Sequence, residues 1–494
     1  MRPRSRDLRY LGAVCAVLLM LLVTTSYVAG RPTPQGRGAA EMPAHVQTEG
    51  MTYSDYRANQ AGMLARLVGS VPATAMQPAL RVEISQTEID AVDRAPRISG
   101  TPLQIGLVKG LSPRFDLDGL RADSQSGESH RASSGVATRS AGGFAWAIPV
   151  VSARAGSLRL HIENMSLAPN AALYFYSRAG EAFGPYVSAG PNGDGDFWTD
   201  TVFGTEGILQ VEITGPATAA DLQRNVLAVT EVGIVTPRFA GQITPQAPAL
   251  CGDPACLVDA TCNTNTPADS AKNAVAKMEW TQGAYIYTCT GGLISDSNPT
   301  QGNFLLTANH CVASNHTAKN LQFYWRFATS TCNGTCPSNS GWPYKTMGAT
   351  VAATGKKGDF TLLQLNANPP SGSVFLGWTS APIANTDGAQ VWRISNPDFG
   401  PQVYSQHNVD TTFGACGGWP RGNWIYSRDI TGAIDGGSSG SPIVNASSQI
   451  VGQLSGTCGA SPSDPCASGP GEANATVDGA FAADYVTLQP IINP

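Results

Sequence analysis

Residues 436–444 read Gly-Gly-Ser-Ser-Gly-Ser-Pro-Ile-Val, a turn of small residues that runs directly into an apolar strand. Two other segments also combine a short strand with a reactive side chain. Residues 305–311, Leu-Leu-Thr-Ala-Asn-His-Cys, end a strand at His310. Residues 358–365, Gly-Asp-Phe-Thr-Leu-Leu-Gln-Leu, place Asp359 at the start of an alternating strand. These patterns are typical of an all-β region with polar side chains at the strand ends.

Histidine, aspartate and serine are the residue types that acyl transfer to a serine requires. A serine hydroxyl becomes a good nucleophile when an imidazole takes its proton, and a buried carboxylate fixes the tautomer of that imidazole. Each segment alone is more often structural: a packed histidine, a turn aspartate or a flexible glycine-serine loop. The order His310, Asp359, Ser439, at spacings of 49 positions (310 to 359) and 80 positions (359 to 439), favours a catalytic site.

The three segments resemble the signature segments of the trypsin/chymotrypsin superfamily of serine proteases: Thr-Ala-x-His-Cys, an Asp-x-x-Leu-Leu strand and Gly-x-Ser-Gly-x-Pro. Residues 437–442 and 358–363 are most similar to the bacterial lysyl endopeptidase branch. The resemblance covers roughly residues 251–490. It implies a two-barrel domain in which Ser439 is the nucleophile, His310 the general base and Asp359 its orienting acid. The backbone N–H groups of Gly437 and Ser439 would form the oxyanion hole.

Specificity is less clear from the sequence. Six residues before the nucleophile, where trypsin has an aspartate, this chain has Ala433. A single buried carboxylate facing a Lys or Arg side chain would select strongly for basic residues. We predict cleavage after Lys or Arg, with small or apolar residues as the alternative. The predicted specificity pocket contains Ala433, Asp435, Ser455, Gly456, Asp478 and Gly479.

The position before the nucleophile also departs from the resembled pattern. Most trypsin relatives have an aspartate there, which captures the new N-terminal amine on activation, and this chain has Ser438. Activation by that ion pair is therefore not expected. Removal of a prosegment, as in the resembled bacterial enzymes, fits better.

Ten of the eleven cysteines lie between residues 251 and 466, and the remaining one, Cys15, lies in the N-terminal apolar segment. An even set confined to one part of an exported chain indicates a disulfide framework. Zinc binding through Cys332 and Cys336 is the alternative. A zinc site would need further ligands, and the sequence has no second close cysteine pair of matching spacing with histidines nearby. The resemblance implies the pairs Cys289–Cys311 and Cys262–Cys332, and pairs Cys256 with Cys458 or Cys466.

Four arginines among the first nine residues precede an apolar run from about Leu11 to Val23 and then small residues through Gly30. This pattern predicts a secretory signal peptide over residues 1–30. A retained membrane anchor is the alternative, because the run approaches the length of a span. After cleavage the protein would be secreted and extracellular, with no membrane attachment.

Residues 31–248 contain no cysteine, and we predict a propeptide that is mainly β-sandwich-like. Leu158, Leu160 and Ile162 alternate with Arg159 and His161, as expected for a strand with one buried face. Residues 31–50 should be loose and residues 121–142 an exposed loop. The stretch 236–254 has a linker composition, where proteolytic nicking is easiest. The propeptide would assist folding or silence the enzyme until it is cut, the alternative being a permanent accessory domain.

The trypsin-like serine protease domain is predicted over residues 249–494. Charged residues are only 14% of the chain and the net charge is -5, with no Lys/Arg-rich run, so no nucleic-acid partner is expected. No metal or organic cofactor is implied. The predicted partners are protein or peptide substrates and the propeptide itself. The alternative function is a catalytically silent trypsin-fold binding protein.

Overall fold

The computed structural model describes residues 38–71, 79–116, 130–131, 135–140, 142–178, 180–215, 224–240, 254–298, 302–334, 336–337 and 343–494. The predicted signal peptide, most of the predicted loop 121–142, residues 241–253 of the linker and Cys251 lie outside this set. Below, residues 39–240 are called the N-terminal region and residues 254–494 the C-terminal region.

The N-terminal region is built mainly from strands. Its elements are β1 (Glu41–Met42), β2 (His45–Val46), α1 (Tyr53–Ser70), β3 (Leu80–Arg81), α2 (Gln86–Asp93), β4 (Leu103–Asp116), β5 (His130–Arg131), β6 (Val136–Ser140), β7 (Gly143–Val151), β8 (Ser157–Ser166), β9 (Ala171–Ser177), β10 (Glu181–Tyr186), β11 (Phe197–Trp198), β12 (Val202–Phe203), β13 (Glu206–Thr214) and β14 (Val226–Val235).

These strands form two sheets that share one apolar core. One sheet has the order β10-β9-β13-β7-β6-β5, and the other contains β8, β14 and β4, with β11 and β12 paired to β8. Leu160 and Val229 of one sheet and Phe175 of the other are fully buried in the same cluster. Packing of two antiparallel sheets over such a core is a β-sandwich, as predicted.

The C-terminal region contains two barrels. Its elements are β15 (Val258–Asp259), β16 (Val275–Gln282), β17 (Tyr285–Leu293), β18 (Phe304–Thr307), α3 (Asn315–Ala318), β19 (Gln322–Trp325), β20 (Tyr344–Met347), β21 (Ala349–Gly355), β22 (Phe360–Leu365), β23 (Val374–Phe375), β24 (Trp378–Thr379), β25 (Gln390–Ser395), β26 (Val403–Val409), β27 (Trp424–Thr431), β28 (Pro442–Val444), β29 (Ile450–Gly459), β30 (Asn474–Ala480) and α4 (Phe481–Ile492), with short 3-10 turns at Ala260–Cys262, Ser270–Asn273 and Pro397–Phe399.

The first barrel follows the order β19-β16-β17-β18-β22-β21, and β20, which pairs with β19, continues into β21 through Gly348. The second barrel closes through β25-β26-β27-β30-β29-β28, because β28 pairs with both β29 and β25. These barrels confirm the predicted all-β class, a two-barrel trypsin-like domain preceded by a β-sandwich.

The sandwich and the first barrel share a sheet. Strand β4 pairs antiparallel with β17, with Leu103 opposite Thr288 and Gln104 opposite Tyr287. Strands β1 and β2 pair with β24 and β23 of the C-terminal region. The prediction that residues 31–50 are loose is therefore wrong for the residues from 41 to 46, whose backbone completes sheet edges.

Disulfides link distant parts of the C-terminal region. The bonded pairs with both cysteines among the described residues are Cys289–Cys311, Cys262–Cys332, Cys256–Cys466 and Cys416–Cys458. The first two are the pairs that the resemblance implies, and Cys466 is the partner of Cys256. Pairing of Cys256 with Cys458 is wrong, because the loop before β27 brings Cys416 to Cys458 at the end of β29. Cys332 and Cys336 are both disulfide-bonded, so neither is available as a zinc thiolate.

Candidate active site

The histidine and the aspartate meet because their strands are neighbours. Strands β18 and β22 pair antiparallel with Thr307 opposite Thr361. His310, three positions after the end of β18, therefore lies beside Asp359, directly before β22. The Asp359 carboxylate accepts a hydrogen bond from His310 Nδ1 at 2.7 Å and one from the His310 backbone N–H at 2.8 Å. One oxygen thus fixes the backbone of His310 and the other orients its imidazole, with Nδ1 as the donor to the carboxylate.

The serine lies on the tight turn before β28. Gly440 has φ +83°, and a Cβ at this position would overlap Thr307 Oγ1 and the Thr290 carbonyl of the first barrel. A glycine is therefore required directly after Ser439 for the turn to approach the first barrel. Ser439 is mostly buried but lines a cavity open to the surface.

Thr290 joins the two barrels at this turn. Its N–H donates to the Ser439 carbonyl at 2.8 Å, and its hydroxyl donates to the Gly437 carbonyl, also at 2.8 Å. The side chain is fully buried, and its hydroxyl accepts the N–H of Asn396. Sequence reasoning missed Thr290, because a threonine in the middle of a strand carries no local signal of an inter-barrel contact.

Two backbone N–H groups of the turn have no hydrogen-bond acceptor in the described part of the chain. The N–H groups of Gly436, Ser438 and Gly440 each donate to a neighbouring oxygen. Among the hydrogen bonds of the described residues, none is donated by the N–H of Gly437 or Ser439. Two preorganised free N–H groups beside a serine hydroxyl are what an oxyanion hole needs.

The His310 ring has one nitrogen without a hydrogen-bond partner in the described part of the chain. Its Nε2 is buried and has no hydrogen-bond partner among the described residues, Ser439 Oγ included. Bonds between a catalytic base and its nucleophile are often long or absent without substrate.

Comparison with known proteins gives the family. A family described as "Lysyl endopeptidase, C-terminal domain" matches residues 253–467. Over 388 residues the chain is 30% identical to the lysyl endopeptidase of Pseudomonas aeruginosa, covering 74% of this chain and 76% of the relative. The chain belongs to the lysyl endopeptidase family. It is accordingly a serine endopeptidase.

Two solved protease structures match this chain at lower identity. The HtrA-type protease AlgW with tripeptide matches 46% of this chain and 62% of its own at 18% identity and a TM-score of 0.32. The Rv3671c protease from M. tuberculosis in its active form matches 48% and 88% at 18% identity, also with a TM-score of 0.32.

The predicted specificity residues of this lysyl endopeptidase relative separate into two groups. Asp435 and Gly456 line the cavity that contains Ser439. Ala433, Ser455, Asp478 and Gly479 are buried and do not line it. Asp478 corrects the prediction, because its carboxylate faces the interior and forms a fully buried ion pair with Arg393 at 2.6 Å.

The other wall of this cavity comes from the N-terminal region. Residues 96–103 line it opposite residues 434–436 and Leu454. The Ser99 hydroxyl donates to the Thr457 carbonyl at 2.6 Å and accepts the Thr457 N–H at 2.7 Å. The sequence contains no signal of this contact, which joins residues 358 positions apart.

A second carboxyl lies behind Asp359. Asp484 of α4 is buried, and its carboxylate lies so close to Gly358 that any side chain at 358 would overlap it. Gln453 Nε2 donates to the Gly358 carbonyl at 2.9 Å and to Asp484 Oδ2 at 3.3 Å. Burial raises the pKa of Asp484 to about 7, the Gln453 hydrogen bond opposes this rise, and the nearby charge of Asp359 adds to it.

The raised pKa of Asp484 predicts a stability that falls with pH. The folded protein holds this proton up to about pH 7, whereas an unfolded chain releases it near pH 4, so the stabilisation is full below pH 4 and is lost as the pH rises through 7. Between pH 5 and 8 this loss amounts to roughly 3 kcal/mol.

We expect Asp484→Asn to remove most of that pH dependence. The measurement is urea unfolding of the full chain at pH 5 and pH 8, with Ser439→Ala present to prevent autolysis. Glu49→Gln, at an exposed carboxylate, is the matched control. A slope that Asp484→Asn leaves unchanged would contradict the prediction.

Proposed function

We propose that this protein is a secreted serine endopeptidase that is made as a precursor and cleaves peptide bonds through Ser439, His310 and Asp359. The observation that carries the proposal is the pair of hydrogen bonds from His310 to Asp359, beside a serine turn with two free N–H groups.

Each group has a defined task in the proposed reaction. Ser439 Oγ attacks the substrate carbonyl while His310 Nε2 takes the hydroxyl proton, and Asp359 stabilises the imidazolium that forms. The N–H groups of Gly437 and Ser439 bind the developing oxyanion. His310 then gives the proton to the leaving amine, which leaves an acyl-enzyme. Water attacks this ester by the same route and regenerates Ser439.

A prosegment role for residues 31–248 is supported by the cleft. Residues 96–103 line the same cavity as Ser439, and β4 occupies the edge of β17 beside it. Peptides commonly bind by adding a strand to such an exposed edge. The N-terminal region thus covers surface that a substrate would need.

Buried ion pairs hold the two regions together in one arrangement, as either a prosegment or the alternative, a permanent accessory domain, requires. Lys345 pairs with Glu181 at 2.5 Å, with side chains 0% and 2% exposed. The fully buried Arg159 and Glu279 pair at 3.8 Å, and Glu279 also accepts the Thr201 hydroxyl at 2.7 Å. Burial raises the pKa of Glu181, an effect that Lys345 opposes. Removing one partner of such a pair is costly, so these contacts favour one docking arrangement.

Activation in this proposal does not use the ion pair to a new N-terminus. Ser438 is fully buried, and its hydroxyl accepts the Ser395 hydroxyl at 3.0 Å. The position therefore holds a neutral, hydrogen-bonded side chain instead of a carboxylate. Release of the prosegment by cleavage near the linker remains the proposed activation step.

Secretion and specificity complete the proposal. The N-terminal signal pattern and the four described disulfides support an oxidising, extracellular location. In the described part of the chain, no helix combines the length and apolarity that a membrane crossing requires.

Cleavage after Lys or Arg is supported by Asp435, which lines the cavity next to Ser439. The proposed partners are peptide substrates and the prosegment, without nucleic acid.

The competing function is a trypsin-fold binding protein without turnover. A serine-directed fluorophosphonate separates the two, since only an activated serine reacts rapidly. We expect the processed protein to be labelled at Ser439, as located by peptide mass spectrometry. Labelling of the precursor should be at least about 10-fold slower, because residues 96–103 line the cleft. Absence of label in the processed protein would favour the binding protein, and the His310→Ala variant provides the unlabelled control.

A further inference from the structure

Arg97 of the N-terminal region lies between two carboxylates of the C-terminal region. Its guanidinium contacts both Asp398 oxygens, at 2.7 and 2.8 Å, through Nη2 and contacts Asp435 through Nη1. The side chains of Arg97, Asp398 and Asp435 are 23%, 11% and 4% exposed. The contact is thus a nearly enclosed salt bridge between groups more than 300 positions apart.

Both carboxylates are attached to the turn that carries the nucleophile. Asp398 donates its N–H to the Gly436 carbonyl at 2.7 Å, and the Asp435 carbonyl accepts the Ser438 N–H at 3.0 Å. Asp435 and Arg97 also line the cavity that contains Ser439. The Arg97 guanidinium therefore lies in the same cavity as the nucleophile.

Two neighbouring buried carboxylates require a cation. Burial raises the pKa of Asp398, the Asp435 charge raises it further, and Arg97 opposes both effects. Arg238, also from the N-terminal region, approaches Asp398 to 3.9 Å. If the predicted prosegment 31–248 leaves, Arg97 and Arg238 leave with it, and the two neighbouring carboxylates lose the cations that they contact.

We propose that Asp398 and Asp435 form a subsite of the processed enzyme that binds a basic side chain of the peptide substrate, and that Arg97 occupies this subsite in the precursor. The inference rests on the proposed endopeptidase function and names the residues that select its substrate. A guanidinium or ammonium group restores the charge balance that Arg97 provides. Asp478, the other acid predicted for the pocket, is bound to Arg393 inside the barrel and is not available.

Arg97 reaches the subsite from a chain that turns. The Thr101 N–H and hydroxyl both donate to the Ile98 carbonyl, at 3.1 and 2.7 Å, and Pro102 follows. An extended substrate would instead run along the edge of a sheet. The Arg97 side chain therefore occupies the proposed subsite, while the backbone that carries it forms a turn instead of an extended strand.

The test compares basic and neutral substrates. A peptide library cleaved by enzyme processed from the full-length chain should show Lys or Arg at one fixed position near the scissile bond. Peptides carrying arginine or the uncharged isostere citrulline at that position then give a ratio of kcat/KM values. We expect Asp435→Asn and Asp398→Asn each to lower this ratio about 10- to 100-fold. Asparagine keeps an Oδ1 acceptor for the Gly436 N–H, which Asp435 accepts at 2.6 Å.

Glu472→Gln is the matched control, because Glu472 is an exposed acid seven positions after Pro465, which lines the cavity (465 to 472). This variant should leave the ratio unchanged. A binding measurement adds a readout independent of turnover: a peptide of residues 94–104 should inhibit the enzyme at least 10-fold better than its Arg97→Ala form. The advantage should vanish in Asp435→Asn, as a double-mutant cycle requires.

The outcomes separate this inference from the proposed function. Enzyme that the fluorophosphonate does not label would refute the proposed endopeptidase. Enzyme that is labelled and cleaves peptides, but whose arginine-to-citrulline ratio is the same in both aspartate variants, would overturn the subsite alone. A ratio that falls in the variants, together with the loss of the Arg97 advantage, would establish it.

Discussion

Replacing Ser439 with alanine is expected to lower kcat for peptide hydrolysis about 10⁶-fold, since the nucleophile acts as a unit with its base and acid. The residual rate should come from the oxyanion donors and from substrate binding. The measurement is single-turnover kinetics on protein whose prosegment has been removed by a tagged protease that is then withdrawn on an affinity column. The free energy of unfolding should be almost unchanged, because the turn is held by Thr290 and Gly440 rather than by the serine hydroxyl.

Ser438→Ala is the matched control for this variant. Ser438 is the neighbouring serine, and its hydroxyl is buried against Ser395 instead of facing the cavity. Its loss removes two internal hydrogen bonds, from the Ser395 hydroxyl at 3.0 Å and from the Asp435 N–H at 3.4 Å, each of about 1 kcal/mol, and kcat should stay within about 10-fold of the wild-type value. A Ser438→Ala variant that loses activity while Ser439→Ala keeps it would reverse the assignment of the nucleophile.

The catalytic segments could be read from the sequence because each is local. The histidine follows a strand, the aspartate precedes the strand paired with it, and the serine lies in a glycine turn. The register of β18 with β22 is enough to bring His310 and Asp359 together. The alternation around Leu158 likewise predicted β8. Patterns of period two determine which strands exist and which face is apolar.

The same alternation failed for the second face of β8. It places Arg159 on the polar side of the strand, yet Arg159 is 1% exposed, because the first barrel covers that side and Glu279 pairs with it. The contact of Arg97 with Asp435 is also absent from any local pattern, since 338 positions separate the two residues (97 to 435). Docking of one region on another depends on the assembled surface, and a short window of sequence does not contain it.

The role of Asp478 could not be predicted from its own position and charge. Its position near the end of β30 and its charge indicated a specificity residue, but the identity of the facing residue decides its role. Arg393 on β25 takes the carboxylate, and the same guanidinium donates to the Ser441 carbonyl at 3.0 Å and the Ser441 hydroxyl at 3.1 Å. The buried pair thus braces the strand that follows Ser439.

This bracing predicts a large stability effect for Arg393→Met. The substitution leaves the carboxylate of Asp478 charged and unpaired in a fully buried site, a loss that costs about 3–5 kcal/mol. Urea unfolding of the full chain in the Ser439→Ala background measures it. The double variant Arg393→Met, Asp478→Leu should recover most of the loss, because apolar packing often replaces a buried ion pair without cost.

Arg94→Met is the surface counterpart of this variant. Arg94 pairs with Asp90 at 3.0 Å, but their side chains are 80% and 38% exposed, so the loss should stay below about 1 kcal/mol. Comparison of the single and double variants at 393 and 478 also separates the cost of the unpaired charge from the cost of lost packing. If the double variant is as unstable as Arg393→Met alone, the cost lies in lost packing and in the bonds to Ser441. If it recovers, the isolated charge of Asp478 is the cause, because apolar side chains of similar volume then fill the site as well as the ion pair does.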